Sequence, residues 1–361
     1  MKMSKIFLIA VFLHTPFFAS SDPEDLPIRG IHFGAPHSRD LPLCLQFIRE
    51  ALPKEGVNTL VLEFNYNFQY KEHPELANRG ALSEAEVKEI LAACREANVE
   101  LIPQINCLGH QSWAERNGRL LSVYPEFDET PGKYPDNKDI YCRSYCPLHP
   151  EVHKVMFSLI DELADACEAK SFHVGMDEVF IIADEDCPRC QGKDPAKLFA
   201  YEIRLLHEHL AESNRTLWMW GDRFLNGKVT GIGKWEASIN DTEAAIDMVP
   251  KDIVICDWHY ERAEPTLPYF ALKGFSAVYC PWRKSEVALE QLNLVQSVRT
   301  NAHPETAQRA RGMLQTTWCG MAPFVRAYYG EGNPNNKAAN ESVDCFKTLF
   351  VRIRNSNQSM K

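Results

Sequence analysis

The stretch EVHKVMFSLIDELADACEAKSFHVGMDE (151–178) carries the reading on which the fold turns. Apolar residues recur at helical spacing over 150–169, and a short apolar run, SFHVGM (171–176), follows at once and stops at two adjacent acids. A helix thus feeds a strand, and the next unit repeats the order. A helical pattern at 195–213, opened by Asp194 as N-cap with Pro195 at the first helical position, leads into the strand candidate TLWMW (216–220).

Working outward, the same alternation fills the chain. Strand candidates lie at 28–33, 58–64, 99–106, 171–176, 216–220, 252–257, 275–280 and 312–317. Helical patterns lie at 40–52, 83–97, 150–169, 195–213, about 241–248, 263–273, 284–300 and 341–354, the second with Ser83 and Glu86 as a capping box. The patterns near 241–248 and 263–273 are the weakest. Eight strand-then-helix units without a GxGxxG loop predict an α/β fold of the closed (β/α)8 TIM-barrel type, not a doubly wound sheet. No repeat or long linker divides residues 22–361, which read as one catalytic domain, with 330–336 as a surface loop before the terminal helix.

Before that domain, Lys2 and Lys5 precede an apolar run from Ile6 to Phe18 and the small residues Ala19-Ser20-Ser21. The pattern predicts a signal peptide over 1–21 and a secreted or periplasmic protein. The run is short for a membrane span, and His14 and Pro16 interrupt it. A formal charge of −10 argues against nucleic acid and anionic membrane as partners. The composition, with 22 prolines and 7 tryptophans, suits structured loops and a small carbohydrate substrate, although core packing accounts for tryptophans equally well.

Twelve cysteines invite two readings. Cys142 with Cys146, and Cys187 with Cys190, together make a candidate four-thiolate zinc site; separately they are disulfides or free thiols. Cys44, Cys94, Cys107, Cys167, Cys256 and Cys280 sit in apolar patterns as small hydrophobes. HExxH, P-loop and GxSxG patterns are absent, so no catalytic metal is expected.

In a barrel of this type the active site lies at the C-terminal strand ends. Those ends here carry Glu63 and Asn65, then His110, then Asp177-Glu178, then Trp220-Gly221-Asp222, then Asp257-Trp258-His259-Tyr260, then Trp282 and Trp318. Strand alternation puts His173, Gly175 and Asp177 on one face and sends Glu178 the other way, unless the strand ends or bulges there. A proton donor beside an anion is the division of labour that glycosidic cleavage needs. Trp220, Trp258, Trp282 and Trp318 are candidates for a wall on which a sugar ring stacks.

The string His173-x-Gly175-x-Asp177-Glu178 resembles the signature of family 20 glycoside hydrolases, the β-N-acetylhexosaminidases. HFGAP (32–36), LSEAEVKEIL (82–91), LIPQINCLGH (101–110) and CPLHP (146–150) occur in the order seen in the hexosaminidase D type. The resemblance covers residues 28–260 best. It implies an exo-acting enzyme that retains anomeric configuration through a substrate-assisted mechanism. In it the acetamido oxygen attacks the sugar's own anomeric carbon, Asp177 orients the acetamido group and Glu178 serves as general acid and base. Tyr260 would donate to the acetamido oxygen, Trp258, Trp282 and Trp318 would enclose the ring, and His110 and His173 would support the carboxylates. No metal or organic cofactor is implied. The family's sugar-gripping arginine after the first strand has no clear match, Arg39 being nearest, and its acidic partner after the second strand is Glu63 or Asn65. A non-catalytic N-acetylhexosamine-binding barrel is the competing reading, and a zinc-dependent hydrolase or deacetylase built around the cysteines and histidines the third.

Overall fold

In the computed structural model, which describes residues 26–114, 116–133 and 141–358, every strand candidate is a strand. The barrel strands are β1 (Ile28–Gly34), β2 (Thr59–Glu63), β3 (Glu100–Cys107), β6 (Ser171–Gly175), β7 (Thr216–Trp220), β8 (Val254–Asp257), β9 (Ser276–Tyr279) and β10 (Ala310–Thr316). They pair in parallel in the closed order β1-β10-β9-β8-β7-β6-β3-β2. Two further short strands, β4 (Ser112–Trp113) and β5 (Arg116–Asn117), pair antiparallel beyond β3. The predicted signal segment 1–21 lies outside the described residues.

The strands read as nearly unbroken apolar runs because both faces are covered. Inside the barrel Ile28, Val61, Ile102, Trp218, Val254, Val278 and Leu314 form one buried cluster. Their neighbours in sequence, such as Leu60 and Leu62, point outward into a second cluster shared with the helices. The seam between β1 and β10 closes where backbones approach too tightly for a side chain. A Cβ on Gly312 (φ 138°) would stand 2.0 Å from the Ile28 carbonyl oxygen.

The helices are α1 (Leu41–Glu55), α2 (Glu84–Glu96), α3 (Arg119–Val123), α4 (Val152–Ala166), α5 (Pro195–Glu212), α6 (Gly227–Thr230), α7 (Thr266–Leu272), α8 (Ser285–Asn301), α9 (Pro304–Arg309), α10 (Met321–Tyr328) and α11 (Lys337–Gln358). The Ser83–Glu86 capping box is formed, and the Asp194 side chain accepts from the Lys197 amide as N-cap of α5. The two weak patterns shrink. Residues 241–248 hold only a 3-10 turn, Glu243–Asp247, ahead of Pro250, and 263–273 shortens to α7, which begins after Pro265. Helices α9 and α10 were not expected. Both carry an early proline, Pro304 at the first turn of α9 and Pro323 in the first turn of α10, which reads as a loop signal in sequence yet is tolerated at a helix start. Among the described residues no helix is long and apolar enough to cross a membrane.

Candidate active site

A cleft of about 740 Å³ opens at the C-terminal ends of the barrel strands, large enough for a small ligand. Asp177, Glu178, His110, Trp220, Trp258, Tyr260 and Trp318 all line it. Trp282 does not line it; it packs edge-on against the Tyr260 ring at 5.5 Å. His173 lies below the floor, fully buried, with its ring 4.6 Å from Trp220. Its Nδ1 accepts from the Gly175 amide at 3.1 Å, which leaves the ring proton on Nε2, and burial holds its pKa well below the ordinary value.

Both carboxylates reach the cleft because β6 stops at Gly175. Gly175 (φ 71°), Met176 (φ 72°) and Glu178 (φ 47°) all take left-handed backbone, which breaks the alternation that would have sent Glu178 outward. Gly175 is required: a Cβ there would meet the Asn106 side chain at 2.6 Å. The facing turn after β3 is bent in the same way at Leu108 (φ 60°) and His110 (φ 56°).

His110 joins the two acids. Its Nε2 stands 3.1 Å from Asp177 Oδ2 and 3.3 Å from Glu178 Oε2, while Nδ1 stands 3.4 Å from Cys142 Sγ. Burial alone would depress the imidazole; the charge of Asp177 and the contacts with Asp177, Cys142 and Glu178 outweigh it and hold the pKa well above the ordinary value. The protonated form of the ring is therefore favoured where it lies between the two carboxyl groups. Asp177 Oδ1 is buried without a protein partner, so a ligand donor has an acceptor waiting.

Asp222, seen in sequence only as part of a strand end, positions the pair. Its Oδ2 accepts from the Glu178 amide at 3.0 Å and from Arg223 Nε at 2.6 Å, and its Oδ1 from Trp258 Nε1 at 3.3 Å. Burial raises its pKa to about 6, against the opposing charge of Arg223. Glu63 lines the cleft across from Asp177, and burial, reinforced by the charge of Asp177, pushes it up to about 7. Its Oε1 accepts from Asn65 Nδ2 at 2.6 Å and Asn106 Nδ2 at 3.2 Å. Asn106 is held in turn by Gln104, and Gln104 by His32, a chain that no short motif reveals.

Trp318 Nε1 donates to the Tyr260 oxygen at 2.8 Å, and the Thr316 hydroxyl lies 3.3 Å from it. Trp258 packs against the same phenol ring at 5.1 Å. Asp257 and His259 turn away from the cleft; His259 binds Asp257 and Glu236 at 3.2 and 2.9 Å beneath the rim. Arg39 is not at the cleft: its side chain is 81% exposed and pairs with Asp40. The arginine that lines the cleft is Arg116, on β5, with Trp113 of β4 and Asn117 beside it.

Two groups of side chains have the donor set and spacing for a metal ion among the described residues: His110, Cys142 and Glu178, and separately Glu129, Cys146, Cys187 and Cys190. The expected four-thiolate set is thereby corrected. Cys142 faces His110 at the cleft, four residues but one turn of loop away from Cys146, and Glu129 completes the other group.

The sequence pattern described as "Glycosyl hydrolase family 20, catalytic domain" matches residues 63–316. A β-hexosaminidase of Vibrio furnissii is 23% identical over 271 residues, which is 74% of this chain and 37% of that protein. Hexosaminidase D of Bos taurus is 24% identical over 175 residues, 46% of this chain and 47% of its own. The chain spans less than half the length of these curated relatives. Among solved structures, the chitobiase of Flavobacterium johnsoniae superposes with a TM-score of 0.63 at 17% identity, over 92% of this chain and 52% of that one, a likeness of fold.

Proposed function

Since the chain belongs to glycosyl hydrolase family 20, we propose that it is an exo-acting β-N-acetylhexosaminidase that removes terminal β-linked N-acetylglucosamine or N-acetylgalactosamine with retention of configuration. The observation that carries this reading is the delivery of Asp177 and Glu178 to one cleft, with the His110 ring nitrogen within 3.3 Å of both. The substrate-assisted route, in which the sugar supplies its own nucleophile, is supported by family membership and by the buried, unpartnered Asp177 Oδ1 that can receive an acetamido N–H.

In this mechanism Asp177 Oδ1, buried and unpartnered, accepts the acetamido N–H and turns the acetamido oxygen toward the anomeric carbon. As that oxygen attacks, positive charge grows on the forming oxazolinium ring, and the Asp177 carboxylate stabilises it. Glu178 gives its proton to the departing glycosidic oxygen, then takes one from the water that opens the ring. Tyr260 has one lone pair filled by the Trp318 indole, which leaves its O–H free to donate to the acetamido oxygen. Trp220, Trp258 and Trp318 supply aromatic faces for the ring and the acetyl methyl. The export pattern at 1–21 supports a site of action outside the cytoplasm, on secreted or periplasmic glycans.

The test is hydrolysis of paired aryl β-N-acetylglucosaminide and β-N-acetylgalactosaminide by wild type and by Glu178→Gln. Turnover by wild type and a loss of roughly 100-fold or more in the variant are expected for a general acid, together with inhibition by a thiazoline mimic of the oxazolinium. Folded wild type that binds N-acetylhexosamine but turns over neither glycoside would leave a sugar-binding barrel instead.

A further inference from the structure

We propose that Glu129, Cys146, Cys187 and Cys190 form a closed structural zinc site that clips the loop after β3 to the loop after β6. One donor atom from each lies within 4.8 Å of all the others. The Cys146 sulfur stands 3.4 Å from that of Cys190 and 3.5 Å from that of Cys187. A zinc tetrahedron with Zn–S of about 2.3 Å places its sulfurs roughly 3.8 Å apart, so an ion fits after a few tenths of an ångström of expansion. A disulfide needs the sulfurs at about 2.05 Å. Forming one would pull a pair together by more than an ångström and strand the third thiol beside a carboxylate.

Glu129 supplies the independent observation. It is fully buried, its Oε1 accepts from the Asp184 amide at 3.2 Å, and its Oε2 has no nitrogen or hydroxyl donor, the carboxyl lying instead against the Cys187 and Cys190 thiols. A buried carboxylate oxygen met only by thiols, the weakest of side-chain donors, is better served by a cation held by the same sulfurs. All four side chains are at most 1% exposed, which leaves no coordination position for water. Such a site holds structure and does no hydrolysis.

The local chain is built for it. Cys187 and Cys190 form a C-x-x-C knuckle whose turns are tied by the Cys187 amide on Asp184 O, the Gln191 amide on Cys187 O and the Lys193 amide on Cys190 O. On binding, each thiol releases its proton to solvent and the zinc keeps its charge of two; the Arg189 guanidinium in the knuckle offsets part of the remaining negative charge. The two clipped segments are those that shape one wall of the cleft. Tyr141 comes from the first, and the second begins directly after Glu178.

The experiment is metal analysis of the full chain, purified under reducing conditions with zinc present and then dialysed. Wild type is expected to retain zinc, and Cys190→Ser to hold about one equivalent less. Cobalt replacement in wild type should give a thiolate-to-metal charge-transfer band and the visible bands of a tetrahedral ion; Glu129→Gln should keep the former and shift the latter. Chelation should lower the Tm of wild type, with recovery when zinc is restored. The idea is overturned by folded wild type without zinc, by a mass deficit showing a disulfide among these cysteines, or by zinc content that Cys142→Ser lowers and Cys190→Ser leaves unchanged. None of these readouts depends on sugar turnover.

Discussion

The two sides of the cleft are made differently. On the β3–β6 side, Leu108, His110, Met176 and Glu178 all hold left-handed backbone, and the bends bring His110 against Asp177 and Glu178. On the β7–β10 side, Trp220, Trp258, Tyr260 and Trp318 have ordinary backbone among the described residues, and Trp258 and Tyr260 simply continue the alternation of β8. Left-handed backbone at bulky residues costs of the order of 1–3 kcal/mol each. Four such residues cluster where two acids and a histidine meet, although single ones also occur in loops elsewhere, at Ala114, Glu168 and Ala183 among others. Shape and stacking come from relaxed strand ends, whereas reactivity comes from backbone bent against its preference.

If that division holds, substitutions on the acid side act on rate and those on the aromatic side on binding. Asp177→Asn keeps the volume and removes the charge that would stabilise the oxazolinium. We expect kcat to fall by about 100-fold with KM within a few-fold, measured on an aryl glycoside. A matching rise in KM with kcat intact would break the comparison.

The acid side should also weigh on stability. The folded Glu63 carboxyl titrates near 7, above its usual value, because burial disfavours the charged form. The folded state then holds the proton that the unfolded state has lost, so wild type loses stability as pH rises from the usual carboxylate range to about 7, and stays lower above it. Glu63→Gln removes that penalty. It should be more stable than wild type at pH 8 by up to about 2–3 kcal/mol, and little different at pH 4, in urea unfolding. Equal effects at both pH values would show that no such penalty exists.

The smallest effect is expected from Trp318→Phe. The ring face stays and only the indole N–H on Tyr260 is lost, so kcat/KM should drop by less than about 5-fold. A loss in kcat as large as that of Asp177→Asn would place chemistry on the aromatic side too.

The same contrast governs what the sequence could reveal. All eight barrel strands were legible, because strands covered on both faces leave apolar runs that need no partner to be recognised. Trp220, Trp258, Tyr260 and Trp318 were legible for the same reason: they lie where the strands end. Alternation alone could not say whether Glu178 faces the cleft, since that turned on the strand ending there, which it does at Gly175 through backbone angles at Met176 and Glu178 that no pattern shows. Asp222 and Glu129 were missed as partners because their roles depend on contacts 44 and 55 residues away, with Glu178 and Asp184. Arg116 replaced Arg39 at the cleft because a two-residue strand pair, too short for any periodicity, places it there.

The glycine seam also sets the order of assembly. Ile28 pairs with Gly312 and His32 with Thr316, so the ring joins strands from opposite ends of the chain. Contacts this distant in sequence are slow to find, and until they form β1 and β10 each keep an open edge. A newly made chain therefore carries exposed hydrogen-bonding edges throughout synthesis and beyond. Gly312 is the latch of that closure, and any side chain there would delay or prevent it, leaving a ring that stays open to other chains.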